Sequence, residues 1–495
     1  MSVTTTPSTT RTAPRRLRDA WLALAGLSAV FLFEMLDNSV LNVALPTIAH
    51  DLRASTTALQ WVSGAYSVAF GGLMLLFGAV ADRSGRRRTM LVGLTVLAVA
   101  SALTLAVDSV GELIAVRALM GIAAAMTTPG SMALAFRLFD DEDLRVRALT
   151  VVSTAGLVGL ALGPTIGGFV LAVAPWQVLL VADAPIAVIA LAGIRAGIAV
   201  DRPDELHRAP VDVPGAVLGT LGVVGLLVTP TLVVDGSAWS AWSTGVGTVL
   251  AAAGFVIRER TARHPLLDLR LVGRPLVASG LAYKAAAGLA TSALSFMVTL
   301  QLQSAWGWPP ALAAVGTLPQ VVVLLAGGRF VGPVVRRIGL GRAAWASAAT
   351  VVVGLAVFSG LGRSGYPFVV VALVLVAAGM RVAGAVAGAS VLSGLPEDRT
   401  SVGAALVDTS SEIATAVGVA VVGTVLATLV GGALTTHADP ARAAALGDAI
   451  AVAGVVVTGL AAVLVGLGLI GARRTPTPTT TTTTTPPITQ ETDRV

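Results

Sequence analysis

Long apolar stretches alternate with short polar connections along almost the whole chain. Bounded by charges or by Pro/Gly clusters, they fall at about 20–45, 57–81, 89–107, 111–135, 148–173, 176–197, 213–234 and 240–257. Six more follow at about 276–303, 310–334, 341–361, 366–394, 401–433 and 446–471. Each is close to the roughly 20 residues with which a helix spans a bilayer. A membrane barrel would show strands of about ten residues with alternating polarity, and lipid admits no other spanning structure. The pattern predicts an all-α polytopic membrane protein with fourteen transmembrane helices. The first segment follows Arg15, Arg16 and Arg18, is too long for a signal-peptide core and contains Glu34 and Asp37, so it reads as a retained span.

The polar connections orient the chain. With the N-terminus inside, the cytoplasmic connections hold the arginines at 11–18, 83–88, 137–147, 195–208, 258–274 and 336–342, with Arg399 and the tail. The opposite side keeps Arg53, Arg363 and Arg442. That asymmetry satisfies the positive-inside rule with both termini cytoplasmic, and a twelve- or thirteen-span count breaks it. An internal repeat is also visible: Gly78, Arg83, Gly85 and Arg88 after segment 2 recur as Gly332, Arg337, Gly339 and Arg342 after segment 10. Two six-helix halves with segments 7 and 8 inserted between them explain the offset, and parallel halves of this kind place a binding site between them near the midplane. The expected division is a tail at 1–19, a first bundle at 20–200, the inserted pair at 201–274, a second bundle at 275–472 and a tail at 473–495. Both tails are rich in Thr, Ser and Pro, and are expected to be disordered.

Composition narrows the picture. Of the 495 residues, 55% are hydrophobic and 12% charged, about half the charge a soluble surface carries, so lipid solvates most of the chain. The formal charge is +6, but the basic residues lie in loops between spans, which removes nucleic-acid binding as its explanation. Cysteine is absent, so there is neither a disulfide nor a thiolate metal site. Lys284 is the only lysine and Ala285 follows it, which excludes a Walker A loop and an ATP motor. Gly360, Gly362 and Gly365 fit a dinucleotide-binding spacing but fall in an external turn. His50, His207, His264 and His437 are loop residues without ligand spacing, and no metal is expected.

Four motifs carry a family likeness. Gly78, Asp82, Arg83, Gly85 and Arg86 follow segment 2. Gly78 would let helices approach, Gly85 would allow a tight turn, and Asp82 would meet a helix N-terminus or an arginine. This loop resembles the cytoplasmic signature loop of the major facilitator superfamily. The run Leu36, Asp37, Asn38 to Pro46 resembles the first-span motif of its fourteen-helix drug:proton antiporters. Arg117 to Gly121 resembles the span-4 motif, with Met120 where that motif usually has Gln. Gly156, Gly159, Gly163, Pro164, Gly167 and Gly168 look like the span-5 antiporter motif, a small-residue face with a proline bend. These motifs cover the N-terminal half well, and the C-terminal half matches through the repeat and a weaker pattern in segment 13.

Eight ionisable residues fall at membrane depth: Glu34, Asp37, Arg117, Asp183, Lys284, Arg381, Asp408 and Glu412. Unpaired and lipid-facing, they would cost about 20–28 kcal/mol together, so they must pair, face a cavity or be neutral. An Asp37–Arg117 couple is geometrically reasonable, and Glu412 and Arg381 are expected at comparable depth. Asp183 stands where the family usually has Asn; it serves in coupling or only bonds a neighbouring helix. Lys284 faces the cavity or snorkels to the inner face. The resemblance implies proton-coupled export of amphipathic drugs or antibiotics by alternating access. Its partners would be a small-molecule substrate, protons and the lipid bilayer, with no nucleic acid, no cofactor, no enzymatic reaction and a monomeric state. Asp37 and Glu412 would take protons or a cationic substrate with Asp408 beside them, and Arg117 and Arg381 would couple. Asp82 and Arg83 would gate. A narrow self-resistance exporter and a non-transporting scaffold or sensor share the architecture.

Overall fold

The computed structural model describes residues 16–139, 141–201, 212–234, 238–263, 265–266, 269–395, 400–430 and 440–473. Helices occupy every expected position. They are α1 (Trp21–Asp51), α2 (Thr56–Ser84), α3 (Arg86–Leu103), α4 (Val110–Arg137), α5 (Glu142–Leu171), and α6 in two pieces (Gln177–Val181 and Asp183–Gly197). The next are α7 (Val213–Val234), α8 (Ala238–Thr261) and α9 (Pro275–Leu300), which ends in a π-turn at Gln301–Ala305. Then come α10 in three pieces (Pro310–Gly316, Leu318–Ala326, Gly328–Ile338), α11 (Leu340–Leu361), α12 (Tyr366–Ser393), α13 (Thr400–Val430) and α14 (Pro440–Arg473). Eleven are long and apolar enough to cross a membrane, and the last two pieces of α10, bent by 60°, make a twelfth. Helices α2 and α7 fill the two remaining positions, so fourteen crossings are compatible with the fold.

The local chemistry explains the boundaries. Ser55 caps α2, Asp141 caps α5, and Ser109 and Glu112 form a reciprocal capping box at the start of α4. Gly85 ends α2 with φ +103° and Gly339 ends α10 with φ +82°, so the glycines of the two repeats turn the chain through the same left-handed region. Breaks fall where backbone donors are missing or the chain is loose: at Pro319 and the Gly327–Gly328 pair in α10, and before Pro185 in α6. Two expectations shift. Helix α1 continues through Pro46 to Asp51, six residues past its expected end, and Leu17–Ala20 form a 3₁₀ turn inside the segment expected as a tail. The rest of both tails lies outside the described residues.

Packing follows the repeat. In the first half α1 packs on α5 and α6, and α4 on α2 and α3; in the second, α9 packs on α12, α13 and α14, and α11 on α12 and α14. The halves meet along α2 with α13 and α5 with α10. Gln60 donates to the Ala420 carbonyl and Gln303 to the Val43 carbonyl, both at 3.1 Å, at the end away from the 83–88 loop. The α7–α8 hairpin lies across the α2/α13 seam, with Thr220 donating to the Gly72 carbonyl at 2.7 Å. On α8, Trp239, Trp242, Val246, Val249 and Leu250 form an exposed apolar stripe, which lipid solvates as readily as a protein core would.

Candidate functional site

The small-residue face of α5 sets the position of α1. A Cβ added at Gly159 would stand 2.6 Å from the Leu32 carbonyl oxygen, and one at Gly163 would collide with Ser39. Ser39 in turn donates to the Gly159 carbonyl at 3.3 Å. Gly156 and Gly167 face α1 as well, while Gly168 faces Pro310 and Ala314 of α10 in the other half. Helix α5 runs unbroken through Pro164. With α1 held this close, its acidic positions turn away from α5 into the interior.

Asp37, Arg117 and Asp183 meet there, each no more than 2% exposed. Arg117 Nη1 donates to both oxygens of Asp37, at 2.6 and 2.8 Å. The guanidinium carbon lies 4.7 Å from the ring centre of Tyr66, a cation–π contact. Asp183 lies within electrostatic reach of both Asp37 and Arg117, and its Oδ2 has no partner among the described residues. A charge pair buried this completely has a strong mutual attraction because little water screens it.

A second group spans the two halves. Glu34, on the same face of α1 as Asp37, accepts from the Thr128 hydroxyl at 2.7 Å. It is electrostatically coupled to Glu412 and Asp408 of α13 and to Lys284 of α9. Lys284 therefore belongs to the interior, with its Nζ 4.0 Å from where a Cβ of Gly384 on α12 would stand. Three carboxyl groups and one ammonium, Glu34 from the first half and the others from the second, are thus within electrostatic reach of one another.

Arg381 does not join them. A depth comparable with that of Glu412 does not make the two partners: the charged neighbours of Glu412 are Asp408 and Lys284. The Arg381 guanidinium instead lies over the break in α10, where a Cβ at Gly328 would stand 2.5 Å from its Nη2. The loop motif is likewise only partly as expected. Gly85 makes the tight turn, but Gly78 is not a close approach, since a Cβ there meets nothing within 4 Å. Arg83 is exposed, Arg86 opens α3, and the Asp82 side chain lies outside the described residues. An unexpected residue holds the loop: Asp201, just past α6, accepts from the Arg87 backbone N–H at 3.0 Å and caps α3 from another segment. Arg87 donates to the Arg195 carbonyl at 2.8 Å, closing the clasp. Tyr66, Thr128 and Asp201 were missed by sequence reasoning. Only Tyr66 offered a signal, as a lone phenol in an apolar span that is otherwise free of charge until Asp82.

Long apolar helices enclosing two clusters of buried charge are the build of a multi-pass membrane transporter. A sequence model of the Major Facilitator Superfamily matches residues 27–419, and the chain belongs to that superfamily. It is 30% identical over 468 residues to the multidrug efflux pump LfrA of Mycolicibacterium smegmatis, covering 90% of this chain and 89% of that protein. It is 35% identical over 301 residues to the cephamycin export protein CmcT of Amycolatopsis lactamdurans, covering 60% of this chain and 62% of that one. Among solved structures, a bacterial homologue of the human lysosomal transporter Spinster, inward-facing and unoccupied, matches with TM-score 0.65 and 15% identity. That match covers 93% of this chain and 98% of the homologue. An auto-inhibited POT family peptide transporter matches with TM-score 0.61 and 16% identity, over 91% and 97%. At those identities the structures speak to fold alone.

Proposed function

We propose that this protein exports amphipathic small molecules, drugs or antibiotics, in exchange for protons, by rocking of its two halves around the central charges. The observation that carries the reading is the cross-half group: Glu34 on α1 facing Asp408 and Glu412 on α13, with Lys284 of α9. Carboxyl groups in a desolvated site change charge readily with their surroundings, so they can bind a proton from one side and release it to the other. Because they belong to both halves, gain or loss of a proton alters the attraction between the bodies that move. The acid excess suits cationic substrates. The driving force is the proton gradient, without a cofactor, and the working unit is one chain in the bacterial inner membrane with both termini cytoplasmic. Asp37, Asp183 and Arg117 act with the central group as coupling residues, Asp82, Arg83 and the Gly85 turn control gating, and Pro164 permits bending.

The test is efflux of a fluorescent lipophilic cation from cells expressing the wild type or Asp37→Asn with Glu412→Gln. Wild-type efflux that collapses with an uncoupler and in the double variant supports carboxylate-mediated antiport. Undiminished, uncoupler-sensitive efflux in the variant removes these residues as the proton sites. A second reading, export of one natural product for self-resistance, is favoured by the likeness to the cephamycin export protein. A substrate panel separates the two, since a narrow exporter leaves the lipophilic cation in the cell.

A further inference from the structure

Two buried polar atoms on opposite halves have no partner among the described residues: the Tyr66 hydroxyl on α2 and Oε2 of Glu412 on α13. One is a donor and the other an acceptor. Tyr66 is 0% exposed, and its ring is held in the first half from two sides, by Arg117 at 4.7 Å and by Phe70 at 5.8 Å between ring centres. Its backbone is fixed as well, because α4 presses against it at Gly121, where any Cβ would collide with the Tyr66 carbonyl. Glu412 approaches the same helix from the other half: its Cβ is 3.6 Å from where a Cβ of Gly71 would stand. Gly71 lies five residues past Tyr66, roughly 7.5 Å along α2. Glu412 is also electrostatically coupled to the Tyr66 hydroxyl. Glu34, by contrast, already accepts from Thr128. Orphaned buried donors and acceptors are costly to leave unmade, and Glu412 reaches α2 within about two turns of Tyr66, along the seam where the halves meet.

We propose that Tyr66 is the positioning residue that links the two charge sites, its hydroxyl donating to Oε2 of Glu412 when the halves rock, while its ring keeps Arg117 on Asp37. The inference rests on the rocking antiport proposed for the same site. A phenol donates more strongly to an ionised carboxylate than to a protonated one, so the bond favours the alternate conformation once Glu412 has lost its proton. Proton release and rocking are thereby tied through one ring, which reports the state of Glu412 to the Asp37–Arg117 pair.

The full-length protein carries three tyrosines, Tyr66, Tyr283 and Tyr366, so the phenol C–O infrared band of Tyr66 is isolated by subtracting the spectrum of Tyr66→Phe. In purified protein that band is expected to move between acid and alkaline pH and to stay still in Glu412→Gln. In proteoliposomes with ethidium as probe, Tyr66→Phe is expected to keep its KM, lose roughly tenfold in maximal rate and shift its pH profile in the same direction as Glu412→Gln. Its thermal stability is expected to be at least that of the wild type, since the lost hydroxyl was buried without a partner, whereas Tyr66→Leu also loses the Arg117 stack and unfolds earlier. A Tyr66 band that responds equally in Glu412→Gln overturns the proposal, as does a Tyr66→Phe protein that pumps with the wild-type pH profile. Wild-type protein without proton-driven efflux instead sinks the antiport reading, and the infrared comparison still decides the couple.

Discussion

Helices α4 and α12 hold equivalent places in the two halves, and each carries one arginine inside the membrane region. Arg117 is fully enclosed, held by both oxygens of Asp37 and faced by Tyr66. Arg381 is half-buried, its Nε has no partner among the described residues, and its neighbours are the glycines at the break in α10. In the second half the basic group near the acids is Lys284 on α9. The repeat thus conserves backbone turns, as Gly85 and Gly339 show, but not the placement of charge. A half that closes its charges internally keeps its shape whatever the other half does. A half whose charges face across the interface responds to what binds there. On this view the Asp37–Arg117 pair is the frame, and Glu34 with α13 and α9 is the responsive element.

Removing the two arginines in turn tests that contrast most severely. Arg117→Met leaves Asp37 buried without its partner and should cost about 3–5 kcal/mol, while Arg381→Met, which has no ion pair among the described residues, should cost under about 1 kcal/mol. Denaturant unfolding in detergent measures both. Adding Asp37→Leu to Arg117→Met should recover much of the loss, because an apolar pair of similar size replaces the ions. Equal losses for the two single variants would erase the distinction between the halves. The turns provide the next comparison. Gly85→Ala and Gly339→Ala each force a side chain into a glycine-only region at about 1–3 kcal/mol. Gly85→Ala should cost more, because its Cβ would stand 2.8 Å from Asp201 Oδ2, while Gly339 has open space. Combining Gly85→Ala with Asp201→Ala should not restore stability, since the cap on α3 goes with the clash; recovery to the level of Gly339→Ala would show that the clasp is incidental.

What could be read from the sequence follows the same physics. Mid-span charges conflict with lipid, so Asp37, Arg117, Glu34 and Glu412 stood out, and glycine spacing announced the α5 face and both turns. Partners were legible only where the depth of each residue could be counted from a reliable helix end. Arg381 could be given a depth but not a partner, because depth says nothing of which neighbour a residue faces, and its side chain lies beside Gly327 and Gly328 of α10. Gly78 failed because glycine spacing marks where helices can approach, not whether a neighbour comes there. Thr128 was hidden because a threonine does not conflict with an apolar span, and the lone phenol of Tyr66 gave a signal whose meaning depends on its neighbours. Asp201 was hidden because capping from a distant segment leaves no local pattern.

The smallest effect expected comes from an aspartate–arginine pair at the edge of the bundle, and it separates pairing from burial as the source of Arg117's importance. Asp212 accepts from the Gly215 N–H at 3.3 Å at the start of α7, and Arg258 Nε of α8 lies 3.0 Å from both of its oxygens. The Arg258 hydrogen bond holds the Asp212 carboxyl below the ordinary aspartate range. A depressed carboxyl stabilises the fold fully above its unfolded pKa, about 3.9, and that contribution is lost as pH falls through the lower folded value. Protection of the first amides of α7, taken relative to their intrinsic exchange at each pH, should therefore be flat above about pH 4 and fall below it, while Asp212→Asn should be less protected at all pH values without that acid step. Because the Arg258 side chain is 45% exposed, water screens the pair, and the change should stay within the α7–α8 hairpin. If Asp212→Asn instead unfolded the whole protein as readily as Arg117→Met, pairing with only the carboxylate enclosed would carry the energy, and full enclosure could no longer explain why the two membrane arginines differ.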